Sequence, residues 1–280
     1  MTNPIVDPLV EVPDTDTTSG LVLIEATPSG AVTVSLNRPE RRNAFNAELI
    51  AALAEAFETL HAQDGVRVVF LEGVGGTFSA GADLDWMAAA AQHTEQDNRE
   101  DAFQMSRMLK ALHDIPAATV ALVDGGAFGG GAGLACACDL AVATAEAKFS
   151  FSEVRLGLVA ATISPYVIKA IGPRHARALF ITGKIFDAAF AEKIGLATEV
   201  VADAAALAET KTRIARDILA CGPEAVKASK ALVDDFAFQA IDHGVMEDSA
   251  KRIAHARVSD EGREGVAAFL GKRRPEWSQA

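Results

Sequence analysis

The residues best placed to do chemistry are two glycine-rich runs and one glutamate. The first run is Thr77-Phe78-Ser79-Ala80-Gly81-Ala82-Asp83-Leu84. The second is Asp124-Gly125-Gly126-Ala127-Phe128-Gly129-Gly130-Gly131-Ala132-Gly133-Leu134, where six of the nine residues 125–133 are glycine. Glycine weakens regular elements, so this density marks a backbone bent tightly or brought close to a ligand. A plain strand-to-helix turn is the competing explanation. Each run follows an apolar stretch, 68–71 and 119–123, that reads as a strand. Two such turns can each aim one main-chain N–H at a common point, which makes an oxyanion hole. If the second turn opens a helix, the helix dipole adds positive potential there. The acid or base this chemistry needs is Glu153, in Phe151-Ser152-Glu153-Val154-Arg155-Leu156-Gly157, at the end of a short predicted strand. A surface glutamate is the alternative for that residue.

Other chemistries lack their residues. There is no G-x-x-x-x-G-K-[ST], no G-x-S-x-G and no H-E-x-x-H, and Leu134 stands where a dinucleotide fingerprint beginning at Gly129 needs its last glycine. The six histidines are scattered. Cys136 and Cys138 have no histidine nearby and read as small core residues rather than a zinc site.

The elements that must position these segments follow from periodicity. A hairpin is expected over 21–26 and 31–36, around Pro28-Ser29-Gly30. Asn46 caps a helix carrying Ile50, Leu53, Phe57 and Leu60 at helical spacing. A helix over about 100–114 stops at Pro116. A strand over 119–123, the glycine turn, a short helix, a strand over 140–143 and a short strand near 149–151 come next. Ser164-Pro165 reads as a helix start and Gly172-Pro173 as its stop. Beyond Asp203 strand signals vanish, and helices are expected near 204–220, 223–238 and 241–257. The expected division is a tail over 1–19, mobile because it is rich in Pro, Asp, Glu, Thr and Ser, an α/β part over 20–202 and a helical part over 203–280.

The composition bounds the function. The 280 residues carry 38 acidic and 26 basic side chains, a formal charge of −12, and half are hydrophobic. A sizeable core is therefore expected, and nucleic acid is not an expected partner. No apolar run is long enough for a membrane span. The first 37 residues hold no Lys or Arg, against a secretory or mitochondrial leader, and three cysteines suit a reducing cytoplasm.

Several segments together resemble the crotonase (enoyl-CoA hydratase/isomerase) superfamily. Leu36-Asn37-Arg38-Pro39-Glu40-Arg41-Arg42-Asn43-Ala44-Phe45-Asn46 looks like its opening motif. Phe78-Ser79-Ala80-Gly81-Ala82-Asp83-Leu84 and the segment 124–139 resemble its two oxyanion turns. Ser152-Glu153-Val154 with Leu156-Gly157-Leu158 resembles its catalytic-glutamate segment, and Phe269-Leu270-Gly271-Lys272-Arg273-Arg274-Pro275 its C-terminal tail. The resemblance covers about 20–278.

The resemblance implies a spiral of β-β-α units with a C-terminal helical oligomerisation region, a homotrimer or hexamer, and an acyl-coenzyme A thioester as substrate with no separate cofactor or metal. It puts the amides of Ala82 and Gly130 on the thioester oxygen, with Ala80 and Leu84 beside the adenine. Trp86 and Met87 would line the acyl pocket or simply pack in the core. Hydratases of the family generally carry a second glutamate at the position held here by Gly133. A lone Glu153 suits a Δ3-Δ2 enoyl-CoA isomerase, and it also suits a hydratase if one carboxylate both activates water and returns the proton. Asp85 and Glu95 are conceivable substitutes, and a non-catalytic acyl-CoA-binding protein is a third reading. The wording Gly129-Gly130-Gly131-Ala132-Gly133-Leu134, Ser152-Glu153-Val154-Arg155-Leu156-Gly157-Leu158 and Ile163-Ser164-Pro165-Tyr166-Val167 is similar to bacterial hydratases of methylglutaconyl-CoA and related branched, carboxylated chains, although Ala160 stands where a proline is usual. Hydration is therefore the first expectation, with Arg155 in a surface salt bridge or, less in line with its setting, on a substrate carboxylate.

Overall fold

The computed structural model describes residues 20–278, so the tail expected over 1–19 lies outside the described residues. In chain order the elements are β1 (Val22–Ala26), β2 (Ala31–Leu36), α1 (Ala47–Ala62), β3 (Val68–Gly73), α2 (Leu84–Ala90), α3 (Glu95–His113), β4 (Ala118–Val123), β5 (Gly126–Phe128), α4 (Gly130–Ala137), β6 (Leu140–Thr144), β7 (Lys148–Ser150), α5 (Ser164–Thr182), β8 (Phe186–Asp187), α6 (Ala188–Ile194), β9 (Glu199–Val201), α7 (Ala204–Leu219), α8 (Pro223–Phe236), α9 (His243–Val258) and α10 (Asp260–Leu270).

Six strands form one sheet in the order β1-β2-β3-β4-β6-β9. The β1–β2 hairpin is antiparallel and every other pair is parallel. Parallel strands are covered on both faces, which is why 68–71 and 119–123 read as continuous apolar runs. Their side chains still alternate. Val69, Leu71, Ala121 and Val123 join a large core with α1 and α3, whereas Val68, Phe70, Val120 and Leu122 join a second core with Leu207 and Ile214 of α7. The first helix of the C-terminal part thus covers the far face of the sheet. A smaller sheet, β5-β7-β8, stands beside the first.

The hairpin and the Asn46 cap form as expected; the Asn46 side chain accepts from Leu49 N–H at 3.0 Å. Other boundaries move. The helix expected from about 100 begins at Glu95, behind a Thr94–Asp97 capping box, because its first turns are polar and give no apolar period. Gly172-Pro173 stops the helix begun at Ser164, as expected: Gly172 leaves helical geometry at φ 71° and ψ 161°, and Pro173 opens a second helical stretch that runs to Thr182. Ser164 does not cap the first stretch: Ile163 holds the cap position, and the Ser164 hydroxyl donates to the Ala161 carbonyl. The short strand expected near 149–151 is Lys148–Ser150, so Glu153 lies beyond it in a 3-10 turn over Glu153–Leu156. The second glycine run also contains β5, a strand its glycines hid.

Candidate active site

Both glycine runs leave the C-terminal ends of adjacent parallel strands, β3 and β4. The first is anchored from below by the 36–46 segment. Asn43, fully buried and at φ 55°, donates from Nδ2 to the carbonyls of Val74 (3.0 Å) and Thr77 (2.7 Å) and accepts from Arg38 N–H (2.9 Å). The buried Ser79 hydroxyl donates to the Asn43 carbonyl at 2.8 Å.

The two runs then lie side by side. Ser79 pairs with Ala127: Ser79 N–H donates to Gly126 O (3.0 Å), and Phe128 N–H to Ser79 O (3.0 Å). On the opposite edge, Ala80 N–H donates to Arg42 O (2.9 Å) and Phe45 N–H to Gly81 O (2.7 Å). In a trans peptide the N–H points opposite to the C=O. Since the Gly81 carbonyl is held toward Phe45, the Ala82 N–H is turned toward the edge where residues 126–129 run. Among the described residues it has no hydrogen-bond partner. The close approach requires glycine at 81: its φ is 87°, and a Cβ built there would fall 2.7 Å from Phe128 O and 3.8 Å from Gly129 N.

Gly130 is the first residue of α4. Gly133 N–H donates to Gly129 O at 3.0 Å, so the carbonyl of the 129–130 peptide points down the helix and the Gly130 N–H points out of its N-terminus. It too lacks a partner among the described residues, and no side chain caps this end. Phe45 and Met105 close around it: a Cβ on Gly130 would meet Met105 Cε at 2.8 Å and Phe45 Cδ2 at 3.2 Å. The sequence offered no signal for Met105 beyond its helical period.

Glu153 is brought to the same place by β7. Phe128 and Ser150 are register partners, and Gly129 N–H donates to Ser150 O at 2.8 Å. Phe151, buried against Phe180, fixes the exit from the strand, and Gly157 at φ 72° ends the 3-10 turn. The carboxylate lies over Gly129, where a built Cβ would sit 3.2 Å from Oε1. Oε2 is buried and, among the described residues, unpartnered. Burial pushes the Glu153 carboxyl above the usual range, against a smaller opposing effect from its own main-chain N–H.

The remaining expected residues sort by position. Gly133 is buried, and Ile163 fills the space a side chain there would take: a Cβ would fall 2.2 Å from Ile163 Cγ2 and 2.5 Å from its Cβ. The Glu153 carboxylate thus lies over the residue that precedes α4, and the Ile163 hydrocarbon over Gly133 in its second turn. Ala80 is half-buried, and Leu84 stands 77% exposed at the start of α2. Trp86 is half-buried against the main core, and Met87 is half-buried on the same helix. Asp85 is exposed and paired with Arg41 at 3.0 Å, and Glu95 is exposed in the first turn of α3. The surface salt bridge expected of Arg155 does not form among the described residues; its Nε donates to Gly183 O at 2.8 Å instead. Cys136 is buried, which pushes its thiol up to about 12. No group of three or more His, Cys, Asp or Glu suited to a metal occurs among the described residues.

Such an arrangement can stabilise a negative oxygen between two amides and move a proton beside it. Comparison with known proteins gives the family. The family model for enoyl-CoA hydratase/isomerase matches residues 26–280. A Thermus thermophilus protein assigned as an enoyl-CoA hydratase is 34% identical over 246 residues, 87% of this chain and 96% of that one. The 1,2-epoxyphenylacetyl-CoA isomerase of Escherichia coli is 29% identical, covering 89% and 95%. The crystal structure of a Legionella pneumophila protein assigned to the enoyl CoA hydratase/isomerases (crotonases) superposes with a TM-score of 0.88 at 41% identity, covering 92% of this chain and 99% of that one. This chain has the crotonase fold and belongs to the enoyl-CoA hydratase/isomerase family.

Proposed function

We propose that the protein hydrates the double bond of a 2-enoyl-coenzyme A thioester, or runs the reverse dehydration, with Glu153 as its only carboxylate. One observation carries this reading: a half-buried carboxylate, whose buried Oε2 has no partner among the described residues, lies over Gly129 beside two turns that each leave one amide hydrogen unpaired among those residues. In the forward direction Glu153 takes a proton from water, and the hydroxide adds to C3. The C2–C3 π electrons move toward the thioester oxygen, where the Ala82 and Gly130 N–H groups hold the enolate charge. Glu153 then returns the proton to C2. Each such donor is worth ~10²–10³ in rate. Ala80 and the exposed Leu84 take the adenine end, and Trp86 and Met87 border the acyl chain.

A branched, carboxylated acyl chain such as methylglutaconyl-CoA is the substrate we favour. The sequence resemblance around Glu153 supports it, as does an Arg155 guanidinium with no acidic partner among the described residues. The Ile163 side chain over Gly133 favours a second reading, Δ3-Δ2 isomerisation: a hydrocarbon wall cannot help hold water, and one carboxylate suffices to carry a proton between two carbons.

The chain is also proposed to form a trimer, or a hexamer of two trimers. Met246, Ile253 and Val258 of α9 and Val266, Phe269 and Leu270 of α10 are large, apolar and exposed, which supports an interface there. No helix among the described residues is long and apolar enough to cross a membrane. The three cysteines are free, which supports a cytoplasmic setting.

Incubation with crotonyl-, 3-methylglutaconyl- and 3-enoyl-CoA separates the readings. Gain of one water mass supports hydration. Unchanged mass with new conjugated absorbance supports isomerisation. No change with any substrate, alongside retained coenzyme A binding, leaves a non-catalytic binding protein.

A further inference from the structure

We infer that the Arg38–Asp83 ion pair is the positioning device for the Ala82 amide. The inference rests on the oxyanion reading above and assigns it two side chains that touch no substrate. Asp83 follows Ala82 directly, and its carboxylate is only 3% exposed. Oδ2 accepts from Arg38 Nη1 at 2.6 Å, and the same nitrogen donates to the Ala44 carbonyl at 3.0 Å. Oδ1 accepts from the amides of Asp85 (2.8 Å) and Trp86 (3.3 Å), capping α2. The Asp83 N–H donates to the Phe45 carbonyl at 2.8 Å.

The geometry follows from these bonds. The peptide that presents the Ala82 N–H has its other end held by Phe45 N–H on the Gly81 carbonyl. The next peptide is held by Asp83 N–H on the Phe45 carbonyl. Phe45 is thus the hinge point for both peptides, and Arg38 ties the residue before it, Ala44, to the residue after the donor, Asp83. One cation fixes the distance between the two strands at the place where the free amide must be aimed. Burial opposes ionisation of Asp83, but the hydrogen bonds from Arg38 and from the two α2 amides outweigh it and hold the carboxyl below its usual range. The pair therefore stays charged, and a buried ion pair this close is directional. Such pairs are a weak source of net stability and a better source of fixed geometry.

The test compares wild type, Arg38→Lys, Arg38→Met, Asp83→Asn and Ala82→Pro, with kcat, KM, Tm and the infrared stretch of the bound thioester carbonyl for each. Misaiming a donor by about 1 Å is expected to cost ~10²-fold in kcat. Arg38→Met and Asp83→Asn should therefore lose roughly that factor, with KM changed less than about 3-fold and the carbonyl stretch moved toward its free value. Arg38→Lys keeps a cation that can reach the same two oxygens, so it should recover most of the rate and is the variant least prone to misfold. Unchanged kcat and carbonyl stretch in Arg38→Met or Asp83→Asn, with Tm alone lowered, would overturn the inference. If the Met and Asn variants do not fold, Asp83→Glu decides, since it keeps the charge but moves the carboxylate by one methylene: a carbonyl stretch moved toward its free value supports the role, and one at the wild-type position contradicts it. An Ala82→Pro variant as fast as wild type would instead sink the underlying oxyanion reading.

Discussion

Ile163 closes over Gly133, so that a Cβ built on the glycine would fall 2.2 Å from Ile163 Cγ2. The glycine is a packing requirement, because the space a side chain would need there is filled by hydrocarbon from the residue that precedes α5. Gly133→Ala should cost ~1–3 kcal/mol through overpacking, read as a lowered denaturation midpoint. Gly133→Glu should cost more, because it also buries a charge among apolar groups. Ile163→Ala placed together with Gly133→Glu should recover part of that loss, so the two changes should be non-additive by ~0.5–3 kcal/mol in a double-mutant cycle. Additive losses would mean the two side chains do not compete for one space.

Glu153→Gln should reduce turnover by ~10²–10⁴ and leave coenzyme A binding intact, measured by steady-state kinetics and calorimetry. Wild-type kcat/KM should fall on the acid side with an inflection above the ordinary carboxylate pKa of about 4.3.

The same residue links stability to pH. Desolvation raises the Glu153 pKa in the folded chain above its unfolded value. Between those two values the native state holds the extra proton, so stability is lost as pH rises through that window, and the loss persists above it. Glu153→Gln should therefore have a higher Tm than wild type above neutrality. Below the unfolded pKa, where both states are protonated, the difference should disappear. A variant that melts below wild type at high pH would contradict the assignment.

The apolar faces of α9 and α10 should hold the oligomer. Phe269, 82% exposed, and Ile253 are the residues to change. Burying one such side chain is worth ~1.5–3 kcal/mol, so Phe269→Asp with Ile253→Asp should shift sedimentation to a smaller species at micromolar concentration. An unchanged sedimentation coefficient would place the interface elsewhere.

The two turns of the proposed site were legible in the sequence because they approach other backbone closely, and such approach leaves a glycine signature at 81 and 129–131. Glu153 was legible by its apolar neighbours, although its 3-10 turn was not, since the three-residue strand before it is too short to show a period. Ile163, Phe45 and Met105 were invisible as site residues. Each is an apolar residue among many, and only contact across elements distinguishes it. The role of Arg38 was hidden for a related reason: its partner Asp83 lies 45 residues away, and sequence spacing carries no record of a bond that the fold creates. Gly172-Pro173 was legible as the end of a helix; that a second helical stretch starts at once behind it and packs Ala176 and Leu179 into the main core was not.

Whether the amides of Ala82 and Gly130 meet on one acyl carbonyl can be read by infrared difference spectroscopy of a bound, carbonyl-labelled 2-enoyl-CoA. The carbonyl stretch should shift to lower frequency on binding, and the shift should be smaller in Ala82→Pro; a bound carbonyl at its solution frequency would mean that the two amides do not hold it.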